Sequence, residues 1–272
     1  MTDLILLVVG LAVGAIGTLV GAGGGFLLVP IMLFLYPDDL PSVITSTSLA
    51  VVLINAASGS AAYARQGRID FKTGLVLGGL TVPGSILGAV ATHAVERGPF
   101  TIIFSLVLIA IAALLFARPV ARESAADTAD APGKWRRMLV DRRGQVYMYA
   151  YSVPKAAAAC LVIGFISSLL GIGGGFILVP LFILAFGFPT YIATATSQFM
   201  LVVMAFSGTA THIAAGTFSE SLSRTLILAP GVIIGSQLGA WLSRRMRPPV
   251  IARLLAVMMT LAAGRLLLGE LL

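Results

Sequence analysis

Long apolar runs separated by short polar stretches dominate the pattern of this chain. They cover residues 4–36, 45–64, 73–95, 100–117, 155–186, 191–215, 225–243 and 249–269. Each run is close to, or longer than, the ~20 apolar residues that a helix needs to cross a bilayer. The pattern therefore predicts an all-α polytopic membrane protein with eight apolar segments.

The eight segments form two sets of four, because the one long polar stretch lies between the fourth and the fifth. The two sets also repeat a sequence: GAGGGFLLVP at 21–30 returns as GIGGGFILVP at 171–180. A self-similar sequence at a fixed spacing indicates a duplication. We predict a first transmembrane repeat at 1–117, a connecting loop at 118–154 and a second transmembrane repeat at 155–272.

The first segment of each repeat is too long for one crossing. A single helix over 4–36 would be ~50 Å long at ~1.5 Å per residue, whereas the bilayer core is ~30 Å thick. The glycine cluster at 21–25 offers a place to turn. We therefore expect a broken or re-entrant helix there and in the second repeat. Three further crossings in each half would then make the two repeats inverted.

The basic residues favour the inverted arrangement. It places 15 of the 18 Lys and Arg residues on one side of the membrane, against 13 if the first segment crosses once. Because Lys and Arg collect in cytoplasmic loops, that side is the cytoplasm. We expect a multi-pass protein of the cell (inner) membrane with both termini outside. The 118–154 loop would be a solvated cytoplasmic connector.

Composition narrows the classes of function. Only 11% of the residues are charged, against roughly 25% in a soluble domain. The net charge of +7 comes from loops between apolar segments, so we predict no nucleic-acid partner. A lone Cys160 excludes an internal disulfide and a Cys-rich metal site, and no Asp or Glu lies in an apolar run. We therefore predict no metal and no cofactor.

The glycine clusters are the main candidates for a substrate site. At membrane depth, backbone outside a helix is tolerated only where it is buried or lines a cavity. Free N–H groups at a helix start attract anions, and two breaks could face each other around one anion. The alternative is that these glycines only allow close helix packing. The candidate residues are Gly21, Gly23, Gly24, Gly25 and Phe26, with Gly171, Gly173, Gly174, Gly175 and Phe176.

Hydroxyl side chains extend the candidate site. Thr47 and Ser48 open the second segment of the first repeat, and Thr196 and Ser197 hold the matching place in the second. Their hydroxyls can donate to a substrate or bond back to their own helix. Gln198 follows directly, so we predict that it contacts the substrate.

Two further polar residues lie in apolar segments. Asn55 and His212 are candidates for a polar or proton relay, and a hydrogen-bonded structural role is the alternative. A rival enzyme class, an intramembrane serine hydrolase, would use Ser58 or Ser60 as nucleophile and His212 as base. The Ser58–Ser60 motif recurs in the other repeat, whereas the His does not. We therefore predict a transporter and no enzyme.

Together these motifs resemble those of the TauE/SafE sulfite exporter family. The resemblance rests on both glycine motifs and the Thr-Ser pairs, and it covers nearly the whole chain. It implies transport of a small inorganic or organic sulfur anion, such as sulfite or an organosulfonate. We expect export by alternating access between two inverted repeats, with an uptake permease or a channel-like facilitator as alternatives. Besides the anion, the partner is the lipid bilayer, and homo-oligomerisation stays open.

Overall fold

The computed structural model describes residues 2–117, 134–142, 144–246 and 248–271. The first half contains α1 (Thr2–Val20), α2 (Gly25–Leu35), α3 (Pro41–Gln66), α4 (Phe71–Ala91) and α5 (Arg97–Ala117). A hairpin of β1 (Trp135–Val140) and β2 (Val146–Tyr151) follows. The second half contains α6 (Val153–Leu169), α7 (Gly175–Leu184), α8 (Thr190–Ala214), α9 (Phe218–Ser243) and α10 (Pro248–Leu271).

The prediction of a helical, multi-pass membrane protein is confirmed. Six helices in the described ranges are long and apolar enough to cross a membrane: α1, α3, α4, α5, α8 and α9. The order of elements repeats, so that α1–α5 correspond to α6–α10. In both halves the long first apolar segment is divided into two helices at its glycine cluster.

Helices α3 and α8 form the centre of the molecule. In each, 78% of the spanning residues are buried, against 44% in α4 and α9. Thr45 near the start of α3 contacts His212 near the end of α8, and Asn55 contacts Gln198 near the start of α8. The residue number therefore increases along α3 in the direction in which it decreases along α8. The two corresponding helices therefore cross antiparallel.

Each first helix packs closely on the third long helix of the opposite half. Along the α1–α9 seam, Gly235 contacts Leu11, and an added Cβ would lie 2.1 Å from the Leu11 carbonyl oxygen. Along the α4–α6 seam, a Cβ added to Gly84 would likewise lie 2.1 Å from the Leu161 carbonyl oxygen. Only glycine permits such backbone proximity. These seams use Gly84 and Gly88 of α4 and Gly231, Gly235 and Gly239 of α9.

The hairpin was not predicted, since we expected the 118–154 loop to be a solvated connector. Residues 118–133 lie outside the described residues, but β1 and β2 pair antiparallel from Trp135–Tyr151 to Val140–Val146. Half-buried and exposed residues alternate along β1, and the three residues Tyr149–Tyr151 at the end of β2 are all buried. Tyr149 and Tyr151 pack with Phe182, Phe186 and Phe188 at the end of α7. These aromatic residues anchor the hairpin to the helices.

Candidate functional site

The two glycine breaks share one backbone conformation. Gly21, Gly23 and Gly24 have positive φ values of 77°, 75° and 85°, and their counterparts in the second half match them. Only glycine adopts this left-handed region at little steric cost. The turn lets the amides of Gly21 and Ala22 bond to the carbonyls of Thr18 and Gly17, at 3.0 and 2.8 Å. These bonds cap α1 before α2 begins.

The fourth glycine of each cluster is required for a different reason. Gly25 and Gly175 have helical backbones, but each lies against the other break. A Cβ on Gly25 would approach the carbonyl oxygens of Ile172 and Gly171 to 2.6 and 2.7 Å, and one on Gly175 would approach the Gly21 oxygen to 2.3 Å. The breaks therefore touch across the two halves.

Both breaks present unpaired amides. Within the described chain, the N–H groups of Gly24, Gly25 and Phe26 donate no hydrogen bond, and neither do those of Gly173, Gly174 and Phe176. All six residues are buried. The rings of Phe26 and Phe176 stack with their centroids 6.5 Å apart. Two helix starts with free donors thus meet at one buried place.

The serine of each Thr-Ser pair joins α3 or α8 to the opposite break. The Ser48 hydroxyl donates to the Gly171 carbonyl oxygen at 2.6 Å, and the Ser197 hydroxyl donates to the Gly21 carbonyl oxygen at 3.1 Å. The contacts are exchanged symmetrically between the halves. Each serine therefore fixes the loop that carries the free amides of the other half.

The threonine of each pair does not bond to a break. The Thr47 hydroxyl donates to the Val43 carbonyl of its own helix at 3.0 Å. The Thr196 hydroxyl accepts from the Asp70 amide at 3.1 Å. Adjacent helical residues point about 100° apart, so a Thr-Ser pair cannot direct both side chains at one target.

The residues that share the serine's helix face lie three positions earlier, and sequence reasoning missed them. A Cβ on Gly171 would lie 2.8 Å from the Thr45 Cα, and one on Gly21 would lie 2.6 Å from the Thr194 carbonyl oxygen. The Thr194 hydroxyl is buried without a hydrogen-bond partner. Helical spacing of i and i+3 was the available signal.

A polar network links the centre of α3 to α1 and α8. The Asn55 side chain donates to the Gly23 carbonyl at 2.8 Å and accepts from the Thr18 hydroxyl at 2.7 Å. The Gln198 amide nitrogen donates to Thr18 and to the Asn55 carbonyl, both at 3.3 Å. The Gln198 side-chain oxygen is buried and unpartnered. Asn55 thus belongs to the first break and Gln198 lies beside it.

His212 lies toward the end of α8 that is remote from Gln198. Its Nε2 is 3.4 Å from the Thr45 hydroxyl and its Nδ1 is 3.2 Å from the Thr217 hydroxyl. The exposed His93 ring is 5.4 Å away. Through Thr45, His212 is connected to the Gly171 turn.

A buried ionic cluster lies just after the C-terminal end of α3, where the hairpin packs against the helices. Asp70 is 1% exposed and pairs with Arg137 of β1 through bonds of 2.6 and 2.7 Å. The Tyr149 hydroxyl donates to the same carboxylate at 2.5 Å, and Thr73 donates through its amide and its hydroxyl. Burial alone would raise the pKa of Asp70, but these donors outweigh it and lower the pKa to about 2. The carboxylate is therefore ionised in the closed hairpin.

A second ion pair lies before the start of α3, at its opposite end. Arg224 of α9 pairs with Asp39, and its guanidinium lies 3.7 Å from the centroid of the Tyr36 ring. Arg97 donates to the carbonyls of Leu33 and Tyr36 at the end of α2. The glycine breaks thus lie between two ionic closures, which are the Asp70–Arg137 cluster at one end of α3 and the Asp39–Arg224 pair at the other.

Comparison with known proteins matches this architecture over nearly its full length. The family model described as Sulfite exporter TauE/SafE matches residues 6–266. The chain belongs to the TauE/SafE family. The resemblance seen in the glycine motifs is thereby confirmed, and this TauE/SafE protein is a multi-pass membrane transporter.

The relatives of this TauE/SafE chain carry the same general description. It is 32% identical to the probable membrane transporter protein YunE of Bacillus subtilis over 273 residues, covering 98% of both chains. It is 27% identical to the probable membrane transporter protein MJ0441 of Methanocaldococcus jannaschii, covering 90% of this chain and 87% of that one. A probable membrane transporter protein of Haemophilus influenzae is 25% identical over 99% of this chain and 97% of its own. No solved structure matches the chain significantly.

Proposed function

We propose that this TauE/SafE transporter exports a small sulfur oxyanion or organosulfonate, bound between the two glycine breaks. The observation that carries the proposal is the meeting of two buried helix starts, with free amides at Gly24, Gly25 and Phe26 in one break and at Gly173, Gly174 and Phe176 in the other. Buried N–H groups without acceptors are unfavourable unless a ligand accepts from them. Both helix dipoles direct positive potential toward the same place, which suits an anion.

The donors around this place are neutral. Main-chain amides come from the breaks, and the Thr194 hydroxyl is buried without a hydrogen-bond partner. The Gln198 amide nitrogen is the remaining neutral donor nearby, and it would have to exchange its bonds to Thr18 and Asn55 for a bond to the anion. Oxygens of a tetrahedral or pyramidal sulfur anion could accept from several of these donors at once. A neutral site also leaves the bound anion's charge uncancelled, so that the membrane potential acts on it.

Helix directions support the two inverted repeats in this proposal. Helices α3 and α8 correspond to each other, yet they cross antiparallel, as the Thr45–His212 and Asn55–Gln198 contacts indicate. Repeats of the same orientation would run these helices parallel. One surface groove is lined both by Ile5 at the start of α1 and by Leu35 at the end of α2, which supports a re-entrant first segment. The breaks would then lie between two oppositely oriented halves.

The two ionic closures are our candidates for alternating gates. They lie at opposite ends of α3, whose 26 residues span ~39 Å. Opening the Asp70–Arg137 cluster would expose the breaks toward the hairpin side, and opening the Asp39–Arg224 pair would expose them toward the other side. The Asp70 amide bonds to Thr196, next to the Ser197 that holds Gly21. A change at that gate is thus connected to the proposed anion site.

The direction follows from charge. The interior-negative potential is worth ~2.3 kcal/mol per charge for each ~100 mV, so it favours efflux of a dianion by ~4–5 kcal/mol. Import would need coupling to another ion. His212, which connects the exposed His93 to Thr45, is our candidate relay for that case.

The geometry does not support the rival serine hydrolase. Ser58 bonds to Ser236 and Gln237 of α9. His212 instead approaches Thr45, which is 13 residues from Ser58 along the same helix, or ~20 Å. A nucleophile and its base must lie within hydrogen-bond reach.

Proteoliposomes loaded with sulfite, sulfate, thiosulfate or a short sulfonate test the proposal. We expect saturable efflux that prefers sulfite or a sulfonate and that accelerates when the interior is made negative. Counterflow distinguishes a carrier from a channel-like facilitator. Efflux that ignores the imposed potential, or equal flux of every anion without saturation, would contradict the proposed mechanism.

A further inference from the structure

Two adjoining cavities open among the ends of α1, α2, α5 and α10. One encloses about 440 Å³ and is lined by Arg97, Thr101 and Arg265 together with apolar residues. The other encloses about 450 Å³ and is lined by apolar side chains apart from Arg265. Both are lined by Pro30, Phe34 and Arg265. They therefore form one continuous groove with a cationic end and an apolar end.

The cationic end carries two guanidinium groups and no carboxylate among its lining residues. Arg97 donates to the carbonyls of Leu33, Tyr36 and Asp39, which are neutral acceptors and leave its charge in place. The carboxylate of Asp39 is taken up by Arg224. Arg265 lies over the Phe34 ring, 5.0 Å from its centroid, and pairs with no carboxylate among the described residues. Two arginines that share a cavity without a counterion attract a phosphate-like anion.

The apolar end extends this groove along the membrane-facing side of the helices. Ile5 and Val9 of α1, Ile31 of α2, and Met258 and Ala262 of α10 line it. Phe34 and Leu261 at its rim are 66% and 67% exposed. Exposed apolar surface at this depth suits an acyl chain.

We propose that this groove binds one anionic phospholipid. The phosphate lies between Arg97 and Arg265, and an acyl chain follows α1 and α10 from Phe34 toward Met258. A free phosphate would use only the arginines and would leave the adjoining apolar cavity unfilled, whereas a lipid fits both. Basic pockets between transmembrane helices are a recurring way of holding anionic head groups. The site is separate from the proposed anion site and does not depend on the transported substrate.

Native mass spectrometry of the purified full chain tests the proposal. The probes are phosphatidylglycerol and phosphatidylcholine with identical acyl chains, and inorganic phosphate alone. We expect retained phosphatidylglycerol in preference to phosphatidylcholine. Arg265→Ala should reduce that preference about tenfold, as expected for the loss of a charge-assisted hydrogen bond. Ala262→Trp, which fills the apolar cavity, should reduce retention of both lipids.

Arg253→Ala is the matched control, because Arg253 is an exposed arginine of the same helix and lines neither cavity. It should retain the wild-type preference. An equal loss in Arg253→Ala and Arg265→Ala would reduce the effect to general surface charge and overturn the proposal. So would unchanged lipid retention in both Arg265→Ala and Ala262→Trp, or phosphate that binds as well as the lipid. A lipid-independent dimer that covers the groove would also overturn it. Should Arg265→Ala fail to fold, Arg265→Gln and Ala262→Trp still decide the question.

Discussion

Neutralising Asp70 should open the β-hairpin, and the native cysteine reports the opening. Asp70→Asn keeps the shape of the side chain but removes the negative charge, which Arg137 neutralises and to which the Tyr149 hydroxyl donates. Cys160 is fully buried in the aromatic cluster under the hairpin, with Tyr149 and Tyr151. Cys160 is the lone cysteine of the chain. Its reaction with maleimide therefore measures how often the hairpin leaves the helices.

The structure sets the size of the effect. The pKa of Asp70 falls from 3.8 to about 2 in the closed hairpin, which corresponds to roughly 2–3 kcal/mol in favour of closure. Because this pKa is lowered, the contribution is fully present above pH ~4 and is lost as the pH falls toward ~2. At neutral pH, Asp70→Asn should therefore increase Cys160 labelling roughly 30- to 100-fold.

Met138→Ala is the control, since Met138 lies on the exposed face of the same hairpin and is 66% exposed. It should label at the wild-type rate. Arg137→Gln should behave like Asp70→Asn, because it leaves the buried carboxylate without its cation. Wild-type labelling of Cys160 in both Asp70→Asn and Arg137→Gln would refute the view that this ion pair holds the hairpin closed.

Three further substitutions test the site itself. Gly25→Ala should abolish anion flux and lower the thermal unfolding temperature, because its Cβ meets backbone oxygens of the opposite break at 2.6 and 2.7 Å; normal flux would show that the breaks need not touch. Ser197→Ala removes the bond to Gly21 and should weaken sulfite efflux about tenfold, whereas Ser207→Ala, whose hydroxyl bonds to its own helix, should leave efflux unchanged. Ser58→Ala should retain transport, and complete loss of activity with normal folding would return the hydrolase to consideration.

The repeat and the breaks could be predicted because they depend on local chemistry. Four glycines in an apolar run contradict a continuous helix, and the same conflict at 21–25 and 171–175 marks two equivalent turns. The family resemblance rests on these same residues. Sequence alone could not separate the two tasks of the glycines. In each break three glycines supply positive φ, and the fourth glycine allows contact with the other break, which is 150 residues away in the sequence.

Other features depend on which side chains the fold brings together. The adjacent Thr47 and Ser48 looked equivalent in sequence, but helical geometry turns only Ser48 toward a break. Asp70 stands outside every apolar run, so a search for charges within the runs could not find it. Its partners come from the hairpin at Arg137 and Tyr149. The hairpin itself was obscured by its basic residues, which indicate a cytoplasmic loop and not its packing.

Selenite, a heavier analogue of sulfite, allows the central claim to be tested by direct location of the anion. Crystals or frozen-hydrated samples of the full chain equilibrated with selenite should show one strong selenium peak between the breaks. We expect its oxygens within hydrogen-bond distance of the free amides of Gly24, Gly25 and Phe26 and of Gly173, Gly174 and Phe176. A transport-competent protein whose only selenium peak lies away from both breaks would contradict the account.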